Sequence, residues 1–283
     1  MNLAVRSILG ILAVSVLAHP ALANYNATAT SAFNIQQPKK EGRRWSGYIN
    51  ASRSSSLVDF QDGTRQESAD YLTRFSYKFT ETYGMRLQGG YSQDMRYSEN
   101  SDFADTSLSL TRTPGKVGSS LLLGYRVSAV APTSKDSYKR QSLQTALSTT
   151  LVGMINPERL VPSLEISGSV SLGRNIHQFE TALDGRVNNQ YSSAQALSIS
   201  YGFKYGISIS GEFVHKNAWS YQNVMRDSFE MSQELGFEIN PSFAVAVGHT
   251  NSGSSLRPNG NDSNVQIIDE KTSILYGSLT ATF

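Results

Sequence analysis

The sequence predicts an all-β fold, a transmembrane antiparallel up-and-down β-barrel of about twelve strands. From residue 45 onward, apolar and polar residues alternate in segments of about ten residues, as in strands with one apolar face. Short links and long polar links alternate between these segments. The chain ends on such a segment, in which every second residue is apolar or small: Leu275, Gly277, Leu279, Ala281 and Phe283.

The N-terminal residues have the features of a cleaved signal peptide. Arg6 precedes a short apolar run at 8–17, and Ala21-Leu22-Ala23 provides an A-x-A cleavage site. We therefore expect residues 1–23 to be removed and the mature chain to begin at Asn24. The apolar run is shorter than the roughly 20 residues of a transmembrane helix. A retained N-terminal anchor is the alternative.

The rest of the chain divides into two regions by pattern. Residues 24–44 lack alternation and are predicted to form a periplasmic N-terminal extension, or alternatively a plug inside the lumen. Residues 45–283 carry the alternation and are predicted to form the barrel itself.

The composition excludes several classes of protein. The chain has no cysteine, which excludes a disulfide scaffold and any cysteine-based metal or nucleophile site. Loss of Arg6 with the signal peptide leaves 24 of the 25 basic residues against 23 acidic ones. This balance does not indicate a nucleic-acid partner. The mean hydropathy of −0.31 is compatible with strands that are apolar on one face only.

The strand count follows from the segments that carry the alternation. Ten or fourteen strands would result if a weak segment, such as the fourth or the eighth, is split or merged. The apolar positions of the twelve segments fall within 45–51, 71–79, 83–91, 104–110, 121–129, 143–151, 164–172, 197–203, 207–213, 229–239, 243–247 and the C-terminal segment.

The link lengths predict the orientation of the barrel. Short links follow the even-numbered segments, and one of them is predicted as a Thr113-Pro114-Gly115 turn. Long polar links such as 53–69, 174–192 and 251–272 follow the odd-numbered segments. Because bacterial barrels have short periplasmic turns and long external loops, both termini are predicted to be periplasmic.

A soluble β-sandwich is the alternative fold, since it can show similar alternation. The strict alternation of link lengths argues against it. So does the gathering of aromatic residues at the strand ends, as in the aromatic girdle of a membrane barrel. These aromatic residues are Trp45, Phe79, Tyr83, Phe203, Phe237, Phe243 and Phe283.

The positions between the apolar ones predict a charged lumen. Basic residues fall mainly on the second to fifth strands and acidic ones on the seventh to tenth. In a ring of twelve these two groups face each other, and we expect a transverse field across the lumen. The predicted basic wall is Arg74, Lys78, Arg86 and Arg126, and the predicted acidic wall is Glu165, Glu212, Glu230, Glu234 and Glu238.

The remaining inward positions are mostly serines with a few amides, which suit a hydrated surface. The alternative is an interior closed by salt bridges between the two walls. Such an interior would conduct poorly, although twelve strands enclose more space than the eight whose side chains fill a barrel.

A catalytic site is not predicted, and neither is a metal site or a cofactor. His177, His215 and His249 follow the upper ends of strands and are expected near the external rim. A phospholipase-like site would need a lipid-exposed Ser–His pair with the histidine as base. Ser252 lies near His249 in sequence, but the two fall at a strand end and in a loop. The order and spacing around it do not reproduce the motif of the outer-membrane phospholipases.

The alternation, the signal peptide and the terminal Phe283 together resemble Gram-negative outer-membrane β-barrel proteins, with small porins and solute channels of about twelve strands the nearest type. The resemblance covers residues 45–283 and identifies no subfamily. It implies an outer-membrane location, with Phe283 as the insertion signal read by the barrel-assembly machinery. Outer-membrane lipid and lipopolysaccharide are the other implied partners.

The resemblance implies passive transport of ions or small polar solutes. Two alternatives stay open. One is a non-conducting structural, adhesive or receptor barrel that acts through its external loops. The other is an outer-membrane hydrolase that acts at the rim.

Overall fold

The computed structural model describes residues 43–59, 62–97, 100–257 and 262–283. The predicted signal peptide, 1–23, and almost all of the predicted extension, 24–44, lie outside these residues. No helix in the described ranges is long and apolar enough to span a membrane.

Twelve long antiparallel strands of the described chain close into one barrel, as predicted. A further two-residue strand, Asp102–Phe103, pairs with β3. The twelve strands are β1 (Trp45–Ser56), β2 (Glu67–Lys78), β3 (Tyr83–Asp94), β4 (Thr106–Val117), β5 (Leu121–Ala131), β6 (Leu143–Ile155), β7 (Leu164–His177), β8 (Asn189–Gly202), β9 (Ile207–Ser220), β10 (Met225–Asn240), β11 (Phe243–Ser254) and β12 (Ser273–Thr282).

Each strand pairs with its neighbours in the sequence, and β1 closes the ring by pairing with β12. The closing register sets Ile49 opposite Ala281. At the end of this seam, the amide and carbonyl of Gly47 form two hydrogen bonds of 3.0 Å with the backbone of Phe283. A Cβ atom on Gly47 would lie 2.7 Å from the Phe283 ring, so glycine leaves the space that the ring occupies.

The pleat of the strands separates two faces, because successive side chains point to opposite sides. The outward face carries exposed apolar side chains such as Ile49, Leu110, Leu151 and Leu235. The alternate positions point to the barrel interior. A continuous exposed apolar band of this kind is what a membrane-spanning barrel presents to lipid.

The predicted turn at Thr113-Pro114-Gly115 is wrong. β4 continues to Val117, its pairing with β5 skips a step between Arg112 and Gly115, and the turn follows at 118–120 with Gly118 at φ +68°. Pro114 lies in this irregularity. Proline has no N–H to donate to the ladder, and it is tolerated here because the irregular step requires no donor at this position.

Two large apolar side chains predicted to face lipid are buried instead. Leu143 is 2% exposed and lies where the pairing of β6 with β7 shifts, between Leu143 and Thr145. Phe229 keeps the outward parity of β10 but is only 3% exposed. Strand parity alone therefore does not determine exposure near the ends of the strands.

Candidate functional site: the charged barrel interior

Three arginines of the predicted basic wall point inward from β2, β3 and β5. Arg74 on β2 lies opposite Gln88, Arg86 on β3 lies opposite Ser109, and Arg126 is on β5. Both Arg74 and Arg126 lie close enough to Arg86 for their positive charges to repel its own. The fourth residue, Lys78, is exposed at the short-turn end of β2, away from this cluster.

The contacts of Arg74 leave part of its guanidinium without a partner. Its Nε donates a 2.9 Å hydrogen bond to Oε1 of Gln88, and its Cζ lies 4.8 Å from the centre of the Tyr48 ring. Among the described residues, buried Nη2 of Arg74 has no hydrogen-bond partner, and neither do Nε and Nη1 of Arg86. No described carboxylate forms an ion pair with Arg74 or Arg86.

The predicted acidic wall also lies on inward positions. Glu165 is on β7, Glu212 on β9, and Glu230, Glu234 and Glu238 on β10. In the ring of twelve strands, β3 and β9 are opposite each other, so the two walls face across the interior.

Lys216, which the sequence analysis did not assign to the lumen, changes the charge of the acidic wall. It is an inward residue of β9 and forms an ion pair with Glu230 on β10. Lys216 has the same parity as Glu212, four residues earlier, and this signal could have identified it. Part of the acidic charge is therefore neutralised within the wall itself.

Glu234 has a neutral partner from a different strand. The Tyr276 hydroxyl on β12 donates a 2.7 Å hydrogen bond to Oε2 of Glu234. Between them lies Gly248 on β11, which pairs directly with Tyr276. Tyr276 is 7% exposed, so a bulky side chain occupies the inner wall at this point.

The lining is less uniformly polar than predicted. A wall of inward serines is present, including Ser167, Ser169 and Ser171 on β7. In addition, Leu122, Val152 and Met154 form a buried apolar cluster on the inner side of β5 and β6. The prediction of a lining made only of hydroxyls, amides and charges is therefore incomplete, because some inward positions near the short-turn end carry packed apolar side chains.

The loops at the long-loop end hydrogen-bond to one another. Ser137 Oγ, on a single π-helical turn at Asp136–Arg140, donates to Oδ2 of Asp105 at 2.5 Å. The side-chain amide of Asn188 donates to the Gln141 carbonyl at 2.9 Å. The Tyr221 amide donates to the Asn188 carbonyl at 3.1 Å. These bonds connect four loops around the opening.

Two carboxyl groups in the connecting segments have pKa values that are shifted in opposite directions. Partial burial raises the pKa of Asp136, and the neighbouring Arg140 guanidinium opposes this rise. At the other end of the barrel, hydrogen bonds from Lys116 and Asn156 lower the pKa of Glu158, which lies in the short turn after β6. Lys116 Nζ lies 3.0 Å from Oε1 of Glu158.

His177, His215 and His249 lie near the long-loop end of their strands, and among the described residues no serine hydrogen-bonds to any of the three imidazoles. His177 contacts the Tyr221 hydroxyl, at 3.4 Å from Nδ1. His249 Nδ1 lies 2.8 Å from Oε1 of Gln233 on the outward face. Ser252 has the opposite parity on β11 and points inward, so the sequence neighbours His249 and Ser252 lie on opposite faces.

His215 has a different environment from the other two. On the outward face of β9, its Nε2 lies 2.7 Å from Oδ1 of Asp227 and its Nδ1 2.7 Å from Oε1 of Gln195. Ser255 Oγ donates to the same Asp227 oxygen at 2.8 Å. The serine is hydrogen-bonded to the carboxylate, whereas a nucleophile activated by histidine would be bonded to the imidazole.

Comparison with known proteins identifies the type of fold. No known protein family and no curated protein matches the chain. Among solved structures, the COG4313 outer membrane channel from Pseudomonas putida F1 is similar, with 12% identity, a TM-score of 0.59, and coverage of 85% of this chain and 95% of that one.

Two porins of known structure are similar to the chain as well. The NanC porin aligns with a TM-score of 0.55 at 7% identity, covering 83% of this chain and 98% of that one. The KdgM porin in complex with disordered oligogalacturonate aligns with a TM-score of 0.51 at 10% identity, covering 83% and 99%. Identities this low establish the fold alone. The chain has the twelve-stranded β-barrel fold of outer-membrane porins and channels.

Proposed function

We propose that the protein is a passive outer-membrane channel for ions and small polar solutes, and that its basic wall attracts anions. One observation carries the proposal: Arg74 and Arg86 point into the barrel interior, no described carboxylate pairs with them, and part of each guanidinium lacks a hydrogen-bond partner.

Unpaired charge inside a protein carries a cost in free energy. A guanidinium that is buried without a partner is strongly destabilising in a dry interior. Inside membrane proteins, charged side chains are tolerated where water or counter-charges solvate them. A lumen filled with water and mobile anions supplies both, and the same groups then select solutes by charge.

The position of the acidic wall supports an interior that is not closed by salt bridges. Glu212 and Glu230 lie across the interior from the arginines, and Lys216 binds Glu230 from within the acidic wall. A barrel interior closed by salt bridges would instead pair Arg74 and Arg86 with these glutamates. The similar solved structures also support a channel, since they are described as channels or porins and one is in complex with oligogalacturonate.

The expected location and orientation belong to the same proposal. The chain would be exported with a cleaved signal peptide, 1–23, and inserted by the barrel-assembly machinery through its terminal Phe283. The short turns and both termini would then be periplasmic, and the long loops external. Outer-membrane lipid and lipopolysaccharide would surround the apolar band.

Single-channel recording tests the proposal. The refolded mature protein in a planar bilayer is expected to give discrete ohmic steps. In a salt gradient, Arg74→Gln with Arg86→Gln is expected to shift the reversal potential toward cation selectivity. Arg53→Gln is the matched control, because Arg53 has the outward parity of β1 and is exposed. Equal reversal potentials for the double variant and the wild type would contradict the role of the basic wall.

The same recording, made with and without residues 24–44, tests the plug alternative. Steps that occur only after truncation would make this segment a plug. Absence of steps from both forms would contradict a channel and favour the barrel that acts through its loops.

A further inference from the structure

Residues 262–272, in the last long loop between β11 and β12, lie against the outside of the barrel wall. Asn251 on β11 and Ser273 on β12 are paired, and both have the same parity as the exposed Leu275. They are nevertheless 1% and 0% exposed. Outward residues with so little exposure must be covered from the outer side.

The second half of this loop, residues 262–272, provides the cover and is called the strap here. The Asn251 side-chain amide donates to the Gln266 carbonyl at 2.7 Å, and Thr272 Oγ1 donates to Oδ1 of Asn251 at 2.6 Å. The Asp269 amide donates to Ser273 Oγ at 2.9 Å. The outward face of β11 and β12 thus holds the strap by hydrogen bonds.

Ser255, the first residue of the loop, is also held on the outer side of the barrel wall. Ser255 donates to Asp227, which is the carboxylate that also contacts His215. The outward parity of β9 and β10 places these groups on the outer wall. The hydrogen bonds that join His215, Asp227 and Ser255 therefore lie outside the barrel interior, and they hold the start of the loop against the outer wall.

The height of the strap follows from the strand geometry. Phe243, at the short-turn end of β11, and Asn251 are eight residues apart. At a rise of about 3.3 Å per residue and a tilt of about 40°, this separation is about 20 Å along the barrel axis. The apolar band of such barrels is about 25 Å tall. The strap therefore lies close to the upper edge of the band, where acyl chains meet lipid headgroups.

The strap carries exposed apolar side chains at this height. Ile267 is 62% exposed and Ile268 is 64% exposed, and Val265 is also exposed. Just below them, the apolar band continues with exposed Val247 and Leu275. The exposed apolar side chains of the strap thus lie above those of the strands, with His249 between Val247 and Asn251 on the outward face of β11.

We propose that the strap is an interfacial membrane anchor, in which Ile267 and Ile268 insert into the outer leaflet at the boundary of acyl chains and headgroups. The partner is the lipid surface that already surrounds the apolar band, and short apolar segments bind such a boundary by burying their side chains in it. This anchor is independent of the proposed channel activity. It also keeps the loop outside the barrel opening.

Site-directed fluorescence tests the proposal, and the absence of cysteine makes single labelling clean. Ile268→Cys carries an environment-sensitive dye in vesicles that contain lipids with a quencher near the headgroup. Leu275→Cys, in the apolar band, is the lipid reference, and Leu183→Cys, 80% exposed on the loop 178–188, is the loop reference. We expect blue-shifted, strongly quenched emission at 268, as at 275. Emission and quenching equal to those at 183 would overturn the proposal.

A second variant tests whether the outer wall holds the strap. Thr272→Val removes the hydrogen bond to Asn251 while the strands keep their sequence. In the labelled Ile268→Cys background, it is expected to red-shift the emission and reduce the quenching. Thr250→Val, which is the inward neighbour on β11, is the matched control.

Dilution of the protein in lipid separates a lipid contact from a second copy of the chain. An emission that is unchanged by dilution supports the lipid anchor. An emission that turns red on dilution, with weak quenching by lipid at every ratio, would assign the strap to a protein–protein contact and overturn the proposal.

Discussion

The Tyr276 ring occupies the space that a side chain at Gly248 would fill: a Cβ atom on Gly248 would lie 2.2 Å from the ring and from the hydroxyl. Only a glycine allows the tyrosine to cross the inner wall and reach Glu234. The hydrogen bond from Tyr276 to Glu234 connects β12 to β10 across β11, on the side of the acidic wall.

Gly248→Ala is expected to lower the free energy of unfolding by about 1–3 kcal/mol, because the new methyl group forces the Tyr276 ring to move. The change can be measured by urea unfolding in lipid vesicles. Gly211→Ala is the control, since its Cβ atom would meet only the Ser232 carbonyl at 3.8 Å. Equal losses in the two variants would contradict the steric explanation.

Tyr276→Phe keeps the ring and removes the hydroxyl that donates to Glu234. Hydrogen bonds to charged groups contribute about 1.5–3 kcal/mol, so a loss of this order is expected in urea unfolding. Glu234→Gln combined with Tyr276→Phe should lose less than the sum of the two single variants, since they share one interaction. Strict additivity would show that the hydroxyl does not stabilise Glu234.

Gly47→Ala is expected to weaken barrel closure. The added Cβ atom would lie 2.7 Å from the Phe283 ring and 2.8 Å from the Arg74 carbonyl oxygen. A destabilisation of about 1–3 kcal/mol is expected, measured as a lower temperature for the mobility shift of folded barrel on gels. Phe283→Ala in the same chain removes the clash with the ring and should restore part of the lost stability. The rescue is expected to be incomplete because the clash with the Arg74 carbonyl oxygen remains. No rescue at all would assign the whole effect to that oxygen.

Glu158 is expected to titrate below its ordinary range. Its pKa is lowered by hydrogen bonds from Lys116 and Asn156. Its contribution to stability is therefore present above the ordinary carboxyl pKa and is lost as the pH falls through the lowered one. NMR titration of the carboxyl group checks this. Lys116→Met should raise the pKa toward the ordinary value, and Arg159→Gln, the smaller influence, should raise it less.

Strand number and side-chain direction could be predicted because one physical rule governs both. Residues on the lipid side must be apolar and those on the inner side need not be, so alternation reveals each strand in the sequence. Ile49, Leu151 and Leu235 follow this rule. Pro114 misled the turn assignment, because a proline at an irregular pairing step resembles a proline in a turn.

The features that could not be predicted depend on how strands align with each other. The pair of Lys216 with Glu230 requires the register of β9 against β10, which no local pattern encodes. The position of the strap depends on Asn251, whose outward parity and polarity contradict a simple lipid-facing strand. The inward direction of Arg74 and Arg86 likewise follows from parity, whereas the lack of an ion pair with any described carboxylate is evident only in three dimensions.

The seam between β1 and β12 also has a consequence for the order of assembly. The side-chain bond from Asn50 to Thr280 connects residues 230 positions apart, so this seam joins the two ends of the barrel sequence. Pairing over such a separation is slow, and until it occurs both outer strands have unpaired edges that attract other chains. Closure is therefore expected to be the last and slowest step of folding, during which the open intermediate depends on protection by a chaperone or by the machinery that inserts it.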